Sequence, residues 1–222
     1  MELADAYFFD IDGTLLVTRD LVHWNALHQA MLEVYGIDTT IEGLSYHGKT
    51  DVMILRAALS RCGVSPQTFD EKLPIALEVV CREVTRNASG ICADVCPAIP
   101  EVLSRLRSCG KLLGVASGNL ERVGWQKVAA AGLREFFTLG SFGDRHEQRT
   151  AIFENAVGMA RGRLGSDVRV CFVGDTPDDI LAARSAKAHI IAVSTGTFPF
   201  EQLADMEPDV CCRSCAELLE RF

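Results

Sequence analysis

Short apolar runs bounded by turn residues alternate along this chain with longer amphipathic stretches. Residues 6–9 (Ala-Tyr-Phe-Phe), 111–116, 168–173 and 189–193 are runs of the first kind and read as strands buried on both faces. Helical periodicity covers 121–131 after the second run, 151–160 ahead of the third, and 178–186 after it. This alternation predicts a parallel sheet with helices on both faces, joined by right-handed crossovers.

The first two runs break the regularity, because about a hundred residues separate them, far more than a crossover helix requires. That interval contains no convincing strand. It holds helical patterns over 20–35, 51–62 and 70–88, interrupted at Gly36, across 43–48 and across 63–66. The chain therefore reads as α/β, with a Rossmann-like parallel-sheet core formed by residues 1–17 and 96–222 and an all-helical domain inserted at 18–95.

Composition narrows the partners. Against 22 Lys and Arg stand 30 Asp and Glu, a net charge of −8, which argues against nucleic acid as a ligand. Hydrophobic residues make up 48% and charged residues 23%, proportions that suit a packed core. Charges interrupt every apolar run short of bilayer length, so no membrane role is expected. No basic region leads into an apolar stretch near the amino terminus, and the nine cysteines are odd in number and scattered. Both features fit a reduced, cytoplasmic protein better than a secreted disulfide framework. Cys92 with Cys96, and Cys211 and Cys212 with Cys215, lie too far apart in the chain for a compact zinc site and read as buried or idle thiols. Trp125, Met159, Phe136 and Phe137 are assigned to the core.

In open parallel sheets, ligands bind beyond the carboxyl ends of the strands. Here those ends read Asp10-Ile11-Asp12-Gly13-Thr14, Ser117-Gly118-Asn119 and Gly174-Asp175-Thr176-Pro177-Asp178-Asp179. Acids gathered at strand tips repel one another unless a divalent cation joins them, and an all-oxygen set of carboxylates suits Mg²⁺. Asp10 and Asp12 are two apart, so on a continuing strand they share a face, with Cα atoms about 6 to 7 Å apart. One could attack phosphorus as a nucleophile while the other reaches the leaving group. Ser117, the amides around Gly118, and Asn119 offer neutral donors to phosphate oxygens. Arg149 or Arg145, ahead of an amphipathic helix, offers the cation, with a solvated basic turn as the plainer reading of that segment. Taken singly, DxD and Gly-Asp-Thr-Pro are ordinary turn and helix-start sequences. Their combination at adjacent strand tips points to a site.

The ordered set FFDIDGTLL, VASGN and VGDTPDD resembles the haloacid dehalogenase superfamily of phosphohydrolases, and the match runs through nearly all of the core. The resemblance implies Asp10 as nucleophile and Asp12 as general acid and base. It also implies Mg²⁺ held by the Asp10 side chain, the Asp12 main-chain oxygen and Asp175. Asp179 would orient that shell, with Asp178 as the rival, and Ser117 would bind the phosphate. Two departures stand out. The family's basic residue is usually Lys followed by Pro, which is absent between Asp144 and Thr150, so Arg149 takes its place. Lys187-Ala188 replaces a common Ala-Gly.

The second aspartate, Asp12, argues against carbon–halogen or phosphonate cleavage, neither of which needs an acid for an alkoxide. The insertion resembles the helical caps of beta-phosphoglucomutase and phosphoglycolate phosphatase. However, Gly48-Lys49-Thr50-Asp51 has Asp51 where the mutase has Arg, which disfavours phosphosugar isomerisation. His47, Lys49 and Thr50 lie on a polar loop placed to close over the core site, and His23 lies near its entrance. Lys49 could meet a substrate carboxylate or hydroxyl, or simply precede a helix capped by Thr50. The expected activity is Mg²⁺-dependent hydrolysis of a small phosphomonoester through an aspartyl phosphate, by a monomer or weak dimer. A phosphosugar mutase and a nonenzymatic switch that binds Mg²⁺ and phosphate are the alternatives.

Overall fold

The structure is a computed structural model that describes residues 4–219; the three residues at each end lie outside the description. Six parallel strands form one sheet in the order β5-β4-β1-β6-β7-β8. They are β1 (Ala6–Phe9), β4 (Leu112–Ser117), β5 (Leu139–Phe142), β6 (Val170–Gly174), β7 (His189–Val193) and β8 (Val210–Cys212). The central strand shows why a continuous apolar run was needed. Tyr7 and Phe9 of β1 enter one hydrophobic cluster, Ala6 and Phe8 the cluster on the opposite face, and every residue of the strand is buried. Phe137 belongs to the first cluster with Trp125 and Phe136 packed against it, and Met159 packs against the second, as expected from their sequence context. Cys212 and Cys215 are part of the first cluster.

Register brings the chemistry to one edge. Phe9 pairs with Val115 of β4 and Val173 of β6, so Asp10, Ser117 and Asp175 all emerge at the same carboxyl end. Helices cover the sheet: α4 (Ile99–Ser108), α5 (Glu121–Ala130), α6 (Arg149–Leu164), α7 (Pro177–Ser185) and the short α8 (Phe200–Ala204).

Between β1 and β4 lie α1 (Val22–Tyr35), α2 (Asp51–Arg61) and α3 (Pro66–Arg86), which share a separate apolar cluster built on residues such as Leu27, Leu55 and Val80. At the stem of this insertion the periodicity missed an antiparallel pair, β2 (Leu16–Thr18) with β3 (Ala93–Val95). Each is only three residues long, too short for a period of two to register. Helix α3 starts earlier than its apolar pattern, because Ser65 accepts a hydrogen bond from the Thr68 amide at 3.1 Å and Pro66 stands at the first helical position.

Candidate active site

Strand β1 ends at Phe9, and the chain turns at once. The Asp10 amide still donates to Val173 O at 2.9 Å, and Gly13 N donates to Leu16 O at 2.8 Å. The turn needs Gly13 for two reasons: its φ is +86°, and an added Cβ would collide with the Asp175 carboxylate. Because the strand does not continue, Asp10 and Asp12 meet different partners while lining one cavity of about 600 Å³.

Asp10 is buried beside Arg149, whose Nη2 lies 3.0 Å from Asp10 Oδ2. The same guanidinium donates to Asp179 Oδ1 through Nε at 2.8 Å and Nη2 at 2.5 Å, and to Gly48 O at 3.3 Å. Burial opposes the charge on Arg149, but Asp10 and Asp179 outweigh it and hold the side chain cationic. Arg145 instead lies at the surface, 3.3 Å from Glu121. Of the two arginines singled out by sequence, the fold brings only Arg149 to the aspartates.

Asp175 accepts from Thr14 Oγ1 at 3.1 Å. Asp179 closes a capping box at the start of α7, accepting from Thr176 N at 3.0 Å and Thr176 Oγ1 at 2.6 Å. Its neighbour Asp178 is turned away toward Lys49, 2.5 Å from the ammonium. Carboxylate oxygens of Asp10, Asp175 and Asp179 lie within 4.8 Å of one another.

This arrangement is electrostatically incomplete. Burial first, and then the neighbouring carboxylates, push Asp10 up to about 6 against the pull of Arg149, and the same causes raise Asp175 well above the usual carboxylate range. Asp10 Oδ1 is buried without a hydrogen-bond partner. An oxygen-only cluster with an unsatisfied carboxylate oxygen fits a hard divalent cation such as Mg²⁺.

Asp12 is held elsewhere. Lys127 Nζ donates to both of its oxygens, at 2.9 and 2.8 Å, and to Asn119 Oδ1 at 2.9 Å, while Asn119 Nδ2 donates to Asp12 Oδ2 at 2.8 Å. Burial works to raise the Asp12 carboxyl, but Lys127 and Asn119 prevail and hold it below the usual range. Sequence reasoning missed Lys127. Its signal was positional: Val123, Gly124, Lys127 and Val128 form the buried stripe of α5, so this lysine interrupts an otherwise apolar face. Ser117 is buried, its Oγ accepting from Asn119 Nδ2 at 2.9 Å.

The inserted helices close the other side of the cavity. The Asp51 amide donates to Gly118 O at 3.0 Å, an approach that leaves no room for a side chain at 118, where a Cβ would lie 2.5 Å from Lys49 O. His23 lies 3.2 Å from the Asp51 carboxylate, which also accepts from Leu120 N at 2.9 Å. His47 is exposed and 3.2 Å from Thr197 Oγ1. His23, His47 and Lys49 line the cavity, as do Gly118 and Asn119. Thr50 does not, because its hydroxyl caps α2 and donates to Glu147 O at 2.8 Å. Among the described residues, no helix is long and apolar enough to cross a membrane.

Comparison with known proteins places this geometry. A family model described as haloacid dehalogenase-like hydrolase matches residues 7–193. A protein of Agrobacterium fabrum named phosphoglycolate phosphatase is 30% identical over 97% of this chain and 91% of its own length. A probable phosphatase of Dickeya dadantii, IndB, is 31% identical over 95% of this chain and 90% of its own. Among solved structures, CbbY of Rhodobacter sphaeroides in complex with phosphate superposes with a TM-score of 0.69 at 18% identity, covering 97% of this chain and 96% of that one. With a family model running from β1 through β7 and covering all the acidic tips, the chain belongs to the haloacid dehalogenase-like hydrolases.

Proposed function

We propose that the protein is a Mg²⁺-dependent phosphatase that hydrolyses a small phosphomonoester through a phosphoryl group carried on Asp10. Asp10 carries the reading, because one of its oxygens is tied to Arg149, the other is buried and unpaired, and its carboxylate clusters with those of Asp175 and Asp179. The relatives named as phosphatases support the same activity. The Asp10 side chain, the Asp12 main-chain oxygen and Asp175 would hold the Mg²⁺, with Asp179 orienting them. When bound, the ion neutralises charge on the transferring phosphoryl oxygens.

The rest follows from the side chains. An Asp10 oxygen forms a bond to phosphorus as the bond from phosphorus to the ester oxygen breaks. Lys127 and Asn119 hold Asp12 as a carboxylate in the free protein, so Asp12 relays to that leaving oxygen a proton that arrives on the phosphate monoanion of the ester. In the second half Asp12, again a carboxylate, takes a proton from water. The water oxygen bonds to phosphorus, phosphate leaves, and Asp10 is restored. Arg149, Ser117 and the amides after it bind the phosphate oxygens, and the helices within 18–95 act as a cap domain that keeps bulk water away.

Incubation with para-nitrophenyl phosphate tests the reading. Phosphate release that requires Mg²⁺ and is lost in Asp10→Asn is expected; equal release without the ion or without Asp10 would reject it.

A further inference from the structure

The cavity has an end that hydrolysis of the phosphoryl group does not use. Opposite the aspartates it is walled by Leu21, Trp24, Leu27, Ile41, Tyr46 and Ile54, all from the inserted segment. Leu27, Ile41 and Ile54 are buried, and Trp24 meets Tyr46 edge to face with ring centroids 6.1 Å apart. Its volume of about 600 Å³ falls in the range of roughly 300 to 1,000 Å³ typical of pockets for ligands of drug size. A phosphate and a two-carbon acid would leave much of it unfilled.

The charges lining the cavity are equally informative. Its lysines and arginine are Lys49, Lys127 and Arg149, and each already faces a carboxylate: Asp178, Asp12, and Asp10 with Asp179. His23 is likewise spent on Asp51, and His47, the other imidazole on the lining, faces the Thr197 hydroxyl at 3.2 Å. The acids that reach the inserted side are Asp20 and Asp51. A carboxylate on the substrate's alcohol part would therefore meet apolar walls and like charges, with no uncommitted lysine or arginine to offset its desolvation.

We propose that the alcohol part of the substrate is uncharged and carries a ring whose flat apolar face is buried against Trp24, Tyr46 and Ile54, in place of the carboxylate of a phosphoglycolate. This inference rests on the phosphatase reading above for the seating of its phosphate.

Four esters with the Mg²⁺-loaded protein test it: benzyl phosphate, 4-carboxybenzyl phosphate, ethyl phosphate and 2-phosphoglycolate. Benzyl phosphate is expected to exceed each of the others in kcat/KM by about tenfold or more, since ring burial and avoided charge burial each contribute at that scale. Trp24→Ala should remove most of that preference, lowering kcat/KM for benzyl phosphate by about tenfold more than for ethyl phosphate. Leu21→Asp provides a second variant at little risk to folding, because Leu21 is 62% exposed and precedes α1, where Asp is a good cap. It should also lower the rate with benzyl phosphate. A preference for 2-phosphoglycolate or 4-carboxybenzyl phosphate, or a benzyl preference unmoved by both substitutions, would overturn the inference. Calorimetric binding of the same esters separates the two readings. If no ester, para-nitrophenyl phosphate included, is turned over, the phosphatase reading fails; tighter binding of benzyl phosphate than of 2-phosphoglycolate then upholds the ring site, and equal or weaker binding rejects it.

Discussion

At the residue scale the site is a balance among buried charges. Asp10 and Asp179 share one guanidinium and Asp175 adds a third carboxylate beside them, so the metal-free protein carries more buried negative charge than it can compensate. Asp10 is raised from 3.8 to about 6, so between those values the folded state binds more protons than the unfolded chain, and stability falls as pH rises. Without a divalent cation, the melting temperature is therefore expected to drop as pH is raised from about 4 to above 6. The effect is on the order of 1–3 kcal/mol, and added Mg²⁺ should reverse it most strongly at the upper end. Calorimetric melts across that range check this; a melting temperature that rises over the window without the ion would contradict it. Lys127 makes a second case. Replacing it with Met is expected to lower kcat by about 10- to 100-fold with KM little changed, because Asp12 loses the partner that orients it. Stability should also fall, by about 1–3 kcal/mol, since removing Lys127 leaves the Asp12 charge unpaired and its side chain is only partly exposed to water. Steady-state kinetics alongside denaturant melts would separate the two effects.

The acidic tips were legible because each motif sits where an apolar strand stops, and the sheet register then fixes which tips meet. Lys127 was not legible, since one basic residue on a helix reads as solvated until the packing of that face is known. The choice of Arg149 over Arg145 likewise needed the start of α6 in space.

At the level of elements, strands buried on both faces left the clearest trace: β1, β4, β6 and β7 all appear as apolar runs. Strand β5 contains Gly140 and Ser141, and β8 has three residues, so their patterns are too weak or too short to stand out. The β2 and β3 pair at the stem of the insertion was invisible for the same reason. One contact between elements decides whether the cavity can close: the backbone at Gly118 against that at Lys49. Gly118→Ala would place a Cβ 2.5 Å from Lys49 O, a backbone atom that cannot turn aside. Turnover is expected to fall by more than about tenfold, with the circular dichroism spectrum unchanged. Full activity in this variant would show that the inserted helices need not dock where they are seen.

For the molecule as a whole, the inserted helices are not an independent body. Their apolar cluster takes in Leu120 and Val123, which flank the start of α5 beneath the sheet's carboxyl edge. Ion pairs across the same junction, such as Lys49 with Asp178 and Arg56 with Glu147, are partly exposed and contribute about 0–1 kcal/mol each, so the shared apolar contact carries the coupling. Thermal unfolding should accordingly occur in one transition, with far-UV and near-UV signals coinciding; two separated transitions would show that the helical layer melts alone.

The central claim is that Asp10 becomes phosphorylated during turnover. Mass spectrometry of the Asp12→Asn variant, acid-quenched after mixing with Mg²⁺ and para-nitrophenyl phosphate, tests it most directly, because loss of the base should let the acyl phosphate persist. One added phosphoryl group mapped to Asp10, and absent without Mg²⁺, is the expected result. Continued turnover with no phosphoryl group on Asp10, or with one on a different residue, would contradict it.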